Sequence, residues 1–519
     1  AIGGSLIEDA LIGRFSIYKN SSDGYMENWT PTNGLREDTN GIDELTGKAH
    51  LRYFANEDHT IDFNYIFTDV DNGYDAFTLD NTRVSHADEP GRDTQKTNAF
   101  ALKSTYDMSG SRLISTASYS ASDMTYSYDE DWSYAGEFSD DLWPYSSFDE
   151  YNRERQQLDI DVRLISKENN RLFNGSTDWT VGAYFKDTQE DLLRNYTYLE
   201  GPFQSSFDTQ SSALYGQLDT HMSDKMTLIA GLRVENWDAT YGDSDSLMID
   251  TDEVLLGAKA GLKYQLNSNL LLYTTLSRGY KPGGVNADNT LNDQAREFKT
   301  ETLWNLDAGF NGNSADNRVQ TRTNFFIGKR RDQQVKSSIV TVREDESTDF
   351  TDYLANAARA TYYGLETQID FYMTDNVLLY GSLGVLKAEF DTYEDPNPSA
   401  IDVNGRAPAH APEYQYVIGW HYNLFGGFGF KAEVEGRDAF YFSNRHNAKS
   451  SAYNLFNAAI EYMNDDITVT LWGRNLTDTD YDVRGFGSFG NNPSNGYIVE
   501  TYTQKGTPRT VGVTMNYNF

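Results

Sequence analysis

Cysteine is absent from the 519 residues, which excludes disulfide frameworks, cysteine–zinc sites and thiol nucleophiles. That absence leaves the compartment open, because a chain without thiols is indifferent to redox poise. No apolar run approaches the roughly 18 residues that a transmembrane helix needs. Basic residues are scarce: 43 Lys plus Arg stand against 78 Asp plus Glu, a net charge of −35. So acidic a surface lacks the basic stripes that displace counterions from nucleic acid, and no nucleic-acid partner is expected. Proline is rare, at 11 residues. The opening "AIGGSLIEDALIGRF" has neither the charged n-region nor the apolar h-region of a signal peptide. Export would therefore imply a processed or partial sequence.

Aromatic residues are plentiful, with 36 Tyr, 28 Phe and 8 Trp, and Gly reaches 41. The mean hydropathy of −0.64 suits a soluble all-β protein such as a propeller or adhesin. A transmembrane β-barrel has the same signature, because only alternate residues face lipid.

Alternation decides between them. In "MTLIAGLRVENW", Met226, Leu228, Ala230, Leu232 and Val234 oppose Ile229, Gly231, Arg233 and Glu235. In "TIDFNYIFTD", Ile61, Phe63, Tyr65 and Phe67 oppose Asp62, Asn64, Ile66 and Thr68. "DWTVGAYFKD" sets Trp179, Val181, Ala183 and Phe185 against Thr180, Gly182, Tyr184 and Lys186. "LLGAKAGLKY" sets Leu256, Ala258, Ala260, Leu262 and Tyr264 against Gly257, Lys259, Gly261 and Lys263. Such runs often exceed the length of ordinary soluble strands and match the roughly 9–11 residues of a tilted membrane-spanning strand.

Loop lengths alternate as well. Short connections such as 55–59, 107–111, 222–225 and 266–269 separate some runs. Long polar segments separate the others: 69–97, 122–154, 191–208, 238–252, 281–299, 332–359, 391–411, 439–450 and 475–508. Short turns at one rim and long loops at the other are expected of an outer-membrane barrel. A propeller would repeat one motif at a fixed period, and none is found. The fold expected is an all-β, transmembrane antiparallel β-barrel with about twenty full runs, from 11–18 to 509–519. A short turn is expected at 5–9, and "AIGG" reads as the end of another strand.

Five segments then carry a resemblance. "YTTLSRGYKPGGVN" (273–286), "FFIGKRRDQQV" (325–335), "NAARATYYGLETQIDF" (356–371) and "NGRAPAHAPEYQYVIG" (404–419) follow in order. The pair "VTLWGRNLTDTDY" (469–481) and "GTPRTVGVTMNYNF" (506–519) completes the set. Together they resemble the barrel of TonB-dependent outer-membrane receptors, over essentially the whole of 1–519. The resemblance implies a monomeric 22-stranded barrel filled by an amino-terminal plug and energised through TonB–ExbB–ExbD. Its ligand would be scarce, most often a ferric siderophore; an oligosaccharide, haem or cobalamin remains open. The plug, the TonB box and the first hairpin have no counterpart before Ala1. They are expected either in a longer chain or on another polypeptide.

There is no HExxH, GxSxG or P-loop, and no dinucleotide fingerprint on a β-α unit, so no enzyme activity, catalytic residue, cofactor or metal site is expected. The segment 121–153 gathers Tyr126, Tyr128, Trp132, Tyr134, Trp143 and Tyr145 beside Asp129, Glu130, Asp131, Asp140 and Asp141. These aromatics either stack on a ligand or pack a long loop against its neighbours. Arg278, Tyr280 and Lys281 would give a cationic, aromatic outer mouth suited to an anionic ferric chelate, or would simply end a strand. His410, in "PAHAPEY", sits at a loop–strand junction, where it touches ligand or packs the loop. "GFGSFGNNPSNGY" (485–497) reads as a lid or an ordinary glycine-rich loop.

In the carboxyl-terminal strand, Val511, Val513, Met515, Tyr517 and Phe519 would face lipid, and Gly512, Thr514, Asn516 and Asn518 the lumen. Tyr517 and the terminal Phe519 resemble the signal read by the barrel assembly machinery. Arg233, Glu235, Lys259 and Lys263 would face inward, hydrated or paired. Outer-membrane lipid and lipopolysaccharide are the remaining partners expected, in the outer membrane of a Gram-negative bacterium. The competing functional class is a plugless barrel, acting as a passive pore or as the shell of a larger complex. A hydrolase is a third, without a catalytic constellation to support it.

Overall fold

Period-two alternation over long stretches produces long strands, and they pair with their chain neighbours because short turns return each one beside the last. The computed structural model describes residues 1–138, 146–286, 291, 293–342, 348–395 and 400–518. Within it, 21 strands form one antiparallel sheet. It runs from Ile2–Ile7 and Leu11–Ser22 through successive hairpins to Ile467–Arg474 and Thr510–Tyr517. Among the described residues no helix is long and apolar enough to cross a membrane.

Cross-strand register assembles one continuous apolar face. Val513 pairs with Leu471, Leu471 with Ile460, Ile460 with Phe430, Phe430 with Tyr422, and Tyr422 with Val377. Val513, Leu471, Ile460 and Tyr422 are exposed, Val513 at 66%, and Phe430 and Val377 are half-buried. In water an apolar belt of this size is untenable, whereas in a bilayer it is the surface that lipid covers. Val511, Met515 and Tyr517 belong to the same face, as expected; Phe519 lies outside the described residues.

The opposite face is polar and self-bonded. Tyr380 lies across Gly419 and donates to Glu433 at 2.6 Å. Tyr215 lies across Gly182 and donates to Asp161 at 2.6 Å. A Cβ at Gly419 or Gly182 would stand 2.4 Å from the tyrosine ring, so glycine makes room for the ring. Arg233 pairs with Glu235 at 2.8 Å, and Tyr280 donates to the same carboxylate at 2.7 Å. The expected inward Arg and Glu are thus paired, while Lys259 lies over Gly231.

Two boundaries differ from expectation. The first turn falls after Ile7, because Ser5 and Ile7 still pair with Ile12 and Leu11. Much of the segment expected as a loop at 332–359 is strand: Val319–Val342 and Thr348–Thr374 run 24 and 27 residues. Strands of this length overshoot the bilayer, and their outer ends carry polar residues on both sides, which hides the alternation.

Among the described residues, Ile2–Ile7 pairs only with Leu11–Ser22, and Thr510–Tyr517 only with Ile467–Arg474. Both run toward the short-turn rim. The sheet curls until its early and late loops meet: the Tyr25 hydroxyl donates to the Lys505 carbonyl at 3.1 Å. Arg83 likewise bonds Asp480 at 2.9 Å and the Gly506 carbonyl at 3.1 Å.

Candidate functional site: the outer vestibule and upper lumen

The outer loops have small cores of their own. Phe77 stacks on Trp132 with centroids 5.6 Å apart, and Trp132 meets Tyr502 edge-on at 5.1 Å. Phe486 and Phe489 pack against this trio. Three loops separated in sequence are thereby welded into one cap on the outer rim. A second core, containing Val335, Tyr353, Phe390 and Val403, supports the tall strand ends opposite.

Below the rim, a cavity of about 710 Å³ is lined by Tyr273, Arg322, Glu366, Gln415, Glu435, Arg437, Tyr453 and Tyr481, among others. A second, of about 560 Å³, shares Arg322 and Gln368 with it and reaches the turn at Ser268 and Asn269. Polar space therefore runs from the upper wall to the short-turn rim.

The upper end of this space is basic. Arg437 stands 6.0 Å from the Phe440 ring, and the His410 ring is 5.2 Å from the same ring. Arg484 lies over Phe77 and Phe486, at 5.8 and 5.6 Å, and donates to the Tyr74 hydroxyl at 3.0 Å. Burial first, then the charges of Arg484 and Arg437, push the His410 imidazole below its ordinary value. Nearby, Arg406 and Lys449 both approach the Tyr441 ring, at 4.2 and 4.0 Å. Arg406 donates to the carbonyls of His446 and Ser443, and its burial lowers its pKa. Among the described residues, none of Arg406, Arg437, Arg484 and Lys449 makes an ion pair with a carboxylate. In a chain of net charge −35, four such cations together form a region suited to an anion.

The sequence-expected residues are scattered rather than gathered. Tyr126 donates to the Tyr74 hydroxyl at 2.9 Å, and Tyr128 to Asp149 at 3.0 Å. Trp132 is buried in the cap, and Tyr134 packs beside Trp29 and His86. Trp143 and Tyr145 lie outside the described residues. Arg278 donates to the Leu256 carbonyl, Tyr280 holds Glu235, and Lys281 pairs in register with Glu301. Of them, His410 lies beside Arg437 and Arg484, and Tyr126 shares the Tyr74 hydroxyl with Arg484. Arg437 and Arg484 were not anticipated; each sits by itself in "EGRDAF" or "DVRGFG", and only folding brings both to Phe440 and its surroundings. Among the described residues no group of three or more His, Asp or Glu is arranged to hold a metal ion.

A family description, "TonB dependent receptor-like, beta-barrel", matches residues 18–476. The pesticin receptor of Yersinia enterocolitica is 24% identical over 362 residues, covering 66% of this chain and 49% of that protein. The chain thus spans about half the length of the curated relatives it matches. Among solved structures, the ferric yersiniabactin uptake receptor FyuA of Yersinia pestis superposes with a TM-score of 0.81 at 18% identity. That match covers 100% of this chain and 77% of the other. The siderophore receptor PiuA of Acinetobacter baumannii gives 0.76 at 12% identity, over 99% of this chain and 78% of its own. At these identities the structural matches speak to fold.

Proposed function

The chain belongs to the TonB-dependent receptor-like β-barrel family, and from that membership we propose that it is the barrel of a receptor for energised uptake of a ferric siderophore. The barrel sits in the outer membrane of a Gram-negative bacterium, the setting of its family. The observation that supports a siderophore is the group of Arg437, Arg484, Arg406 and Lys449, none ion-paired with a carboxylate among the described residues, with His410, at the top of the lumen. Ferric chelates with surplus ionised oxygens are anions, and guanidinium groups bond such oxygens strongly. No covalent step is involved: ligand binds at the vestibule and passes down the polar lumen.

The same reading includes a plug domain within the lumen and TonB–ExbB–ExbD acting through it. It also includes lipopolysaccharide around the outer half of the belt and the barrel assembly machinery as the reader of Tyr517 and Phe519. Closure of the sheet supports additional chain. The two single-sided strands run the same way, so one further strand running oppositely would pair antiparallel with both. An unpaired edge in lipid is costly, which makes that closure strongly favoured.

The test is binding by the whole receptor. Intrinsic fluorescence should report saturable binding of iron-loaded siderophores and weak binding of the iron-free forms. No binding across a chemically diverse panel, together with a stable large conductance in planar bilayers, would favour the passive-pore alternative.

A further inference from the structure

The tall strands Val319–Val342 and Thr348–Thr374 change residue type abruptly along their outward face. Phe325 and Ile327 are exposed members of the apolar belt. The next two outward positions toward the long-loop rim are Lys329 and Arg331. On the paired strand, Tyr363 faces Ile327 and Thr361 faces Lys329, and Arg359 follows. Arg330 faces Ala360 in the last regular pair before the register shifts, so Arg331 and Arg359 stand one step beyond it on adjacent strands. Residues two apart on a strand lie about 7 Å from each other and adjacent strands about 4.8 Å, so three long side chains here can converge on one group.

Lys329, Arg331 and Arg359 are all exposed. Among the described residues none of them makes an ion pair with a carboxylate, that of Asp332 next in the chain included. Acids of the adjoining strand and loop are already engaged. Lys387 holds Glu389 at 2.9 Å and Glu413 at 3.6 Å, and Asp391 accepts the Thr361 hydroxyl at 2.7 Å. Arg330, on the opposite face, takes Glu301 at 3.5 Å. Like charges side by side on neighbouring strands repel, and an anion from outside relieves them.

Position on the wall decides which anion that is. Directly below the three cations lies the surface that lipid covers, so they stand at the level of the outer-leaflet headgroups. Their long stems can lie along the wall while the charged ends reach the interface. Exposed Trp304, paired in register with Lys329, and exposed Tyr363 add flat faces suited to a sugar ring. Phosphate together with sugar is the chemistry of a lipopolysaccharide head rather than that of a phospholipid.

We propose that Lys329, Arg331 and Arg359 form a site on the outward wall for a phosphate group of lipopolysaccharide. The guanidinium groups offer paired donors to the phosphate oxygens, and Lys329 adds a point charge. This site rests on the lipopolysaccharide contact named above and is independent of the siderophore.

The test is a titration of the full receptor, in a mild detergent, with purified lipopolysaccharide followed by native mass spectrometry. Replacing all three cations (Lys329→Gln, Arg331→Gln and Arg359→Gln together) should weaken retention at least about tenfold, through loss of charged hydrogen bonds. Arg318→Gln, which removes an exposed cation at the short-turn rim, should leave it unchanged. Dephosphorylated lipopolysaccharide should bind the unsubstituted receptor and the triple variant equally weakly. Heat-modifiable gel migration confirms that each barrel is folded; should the triple variant fail to assemble, Arg331→Gln alone is read in its place. Unchanged retention in the variants overturns the site and leaves the lipopolysaccharide contact standing elsewhere on the wall. No retention by the unsubstituted receptor rejects that contact and the site with it. Equal competition by phosphatidylglycerol overturns the assignment by making the patch a general anionic-lipid surface. Full release by a chelator also overturns it, because the lipid would then be held by carboxylates through divalent ions.

Discussion

The hydroxyl of Tyr380 reaches the Glu433 carboxylate at 2.6 Å by lying across Gly419, the residue that separates them in the sheet. Ring, glycine and acid form one unit on the lumen wall. Gly419→Val would put a side chain where the ring lies, and such overpacking costs about 1–3 kcal/mol. The expected outcome is a lower temperature of heat-modifiable unfolding. Tyr380→Phe, which keeps the ring and loses the bond, should cost less than the valine.

Cations of the vestibule should set ligand affinity. Arg437→Gln and Arg484→Gln are each expected to raise Kd for an anionic ferric siderophore by roughly 10- to 100-fold, the loss of one charged hydrogen bond. Arg→Lys at either position should recover part of it, and the salt dependence of binding should weaken in the Gln variants. Arg278→Gln, whose guanidinium is turned to a backbone carbonyl, should change Kd little.

Faces of the last strand should differ sharply in tolerance. Val513→Arg puts a charge on the lipid face near mid-depth, at a cost of about 2–4 kcal/mol. Thr514→Arg, its neighbour on the polar face, should assemble close to normally. Yield of folded barrel in outer-membrane fractions measures both.

Loop stability should fall with rising pH. Burial pushes the Asp75 carboxyl up to about 7, so its neutral form is the one the fold prefers. Its contribution is complete at acid pH, declines above the ordinary carboxylate range and is lost once pH passes 7. Proteolysis of the 74–91 loop should therefore be slower near pH 5 than near pH 8 (about one unit either side of neutrality or more). Asp75→Asn should flatten that difference.

Much of the wall was legible in the sequence, because a barrel strand writes its two environments on alternate residues. Leu228, Leu232 and Val234 against Gly231, Arg233 and Glu235 is such a case, and "AIGG" was rightly read as strand. Above the bilayer both sides meet water or other loops, so alternation fades, and the paired ends at 332–359 look like loop in the sequence. The vestibule was harder still. Arg437 and Arg484 are ordinary in their local sequences, and that neither is ion-paired with a carboxylate among the described residues is a property of folded space alone. The junction position of His410 marks it in the sequence, but nothing there indicates the two arginines beside it.

The outer rim is tied across great distances in the chain: Arg83 to Gly506, Tyr25 to Lys505, Asn81 to Thr501. Each tie spans more than 400 positions, while the wall is built almost wholly from hairpins between sequence neighbours. Local hairpins close early, and contacts of high sequence separation form late. The vestibule should thus be the slowest part to mature. A barrel can be complete in its membrane girth while still unable to present its cap, and newly inserted receptors should pass through such an interval.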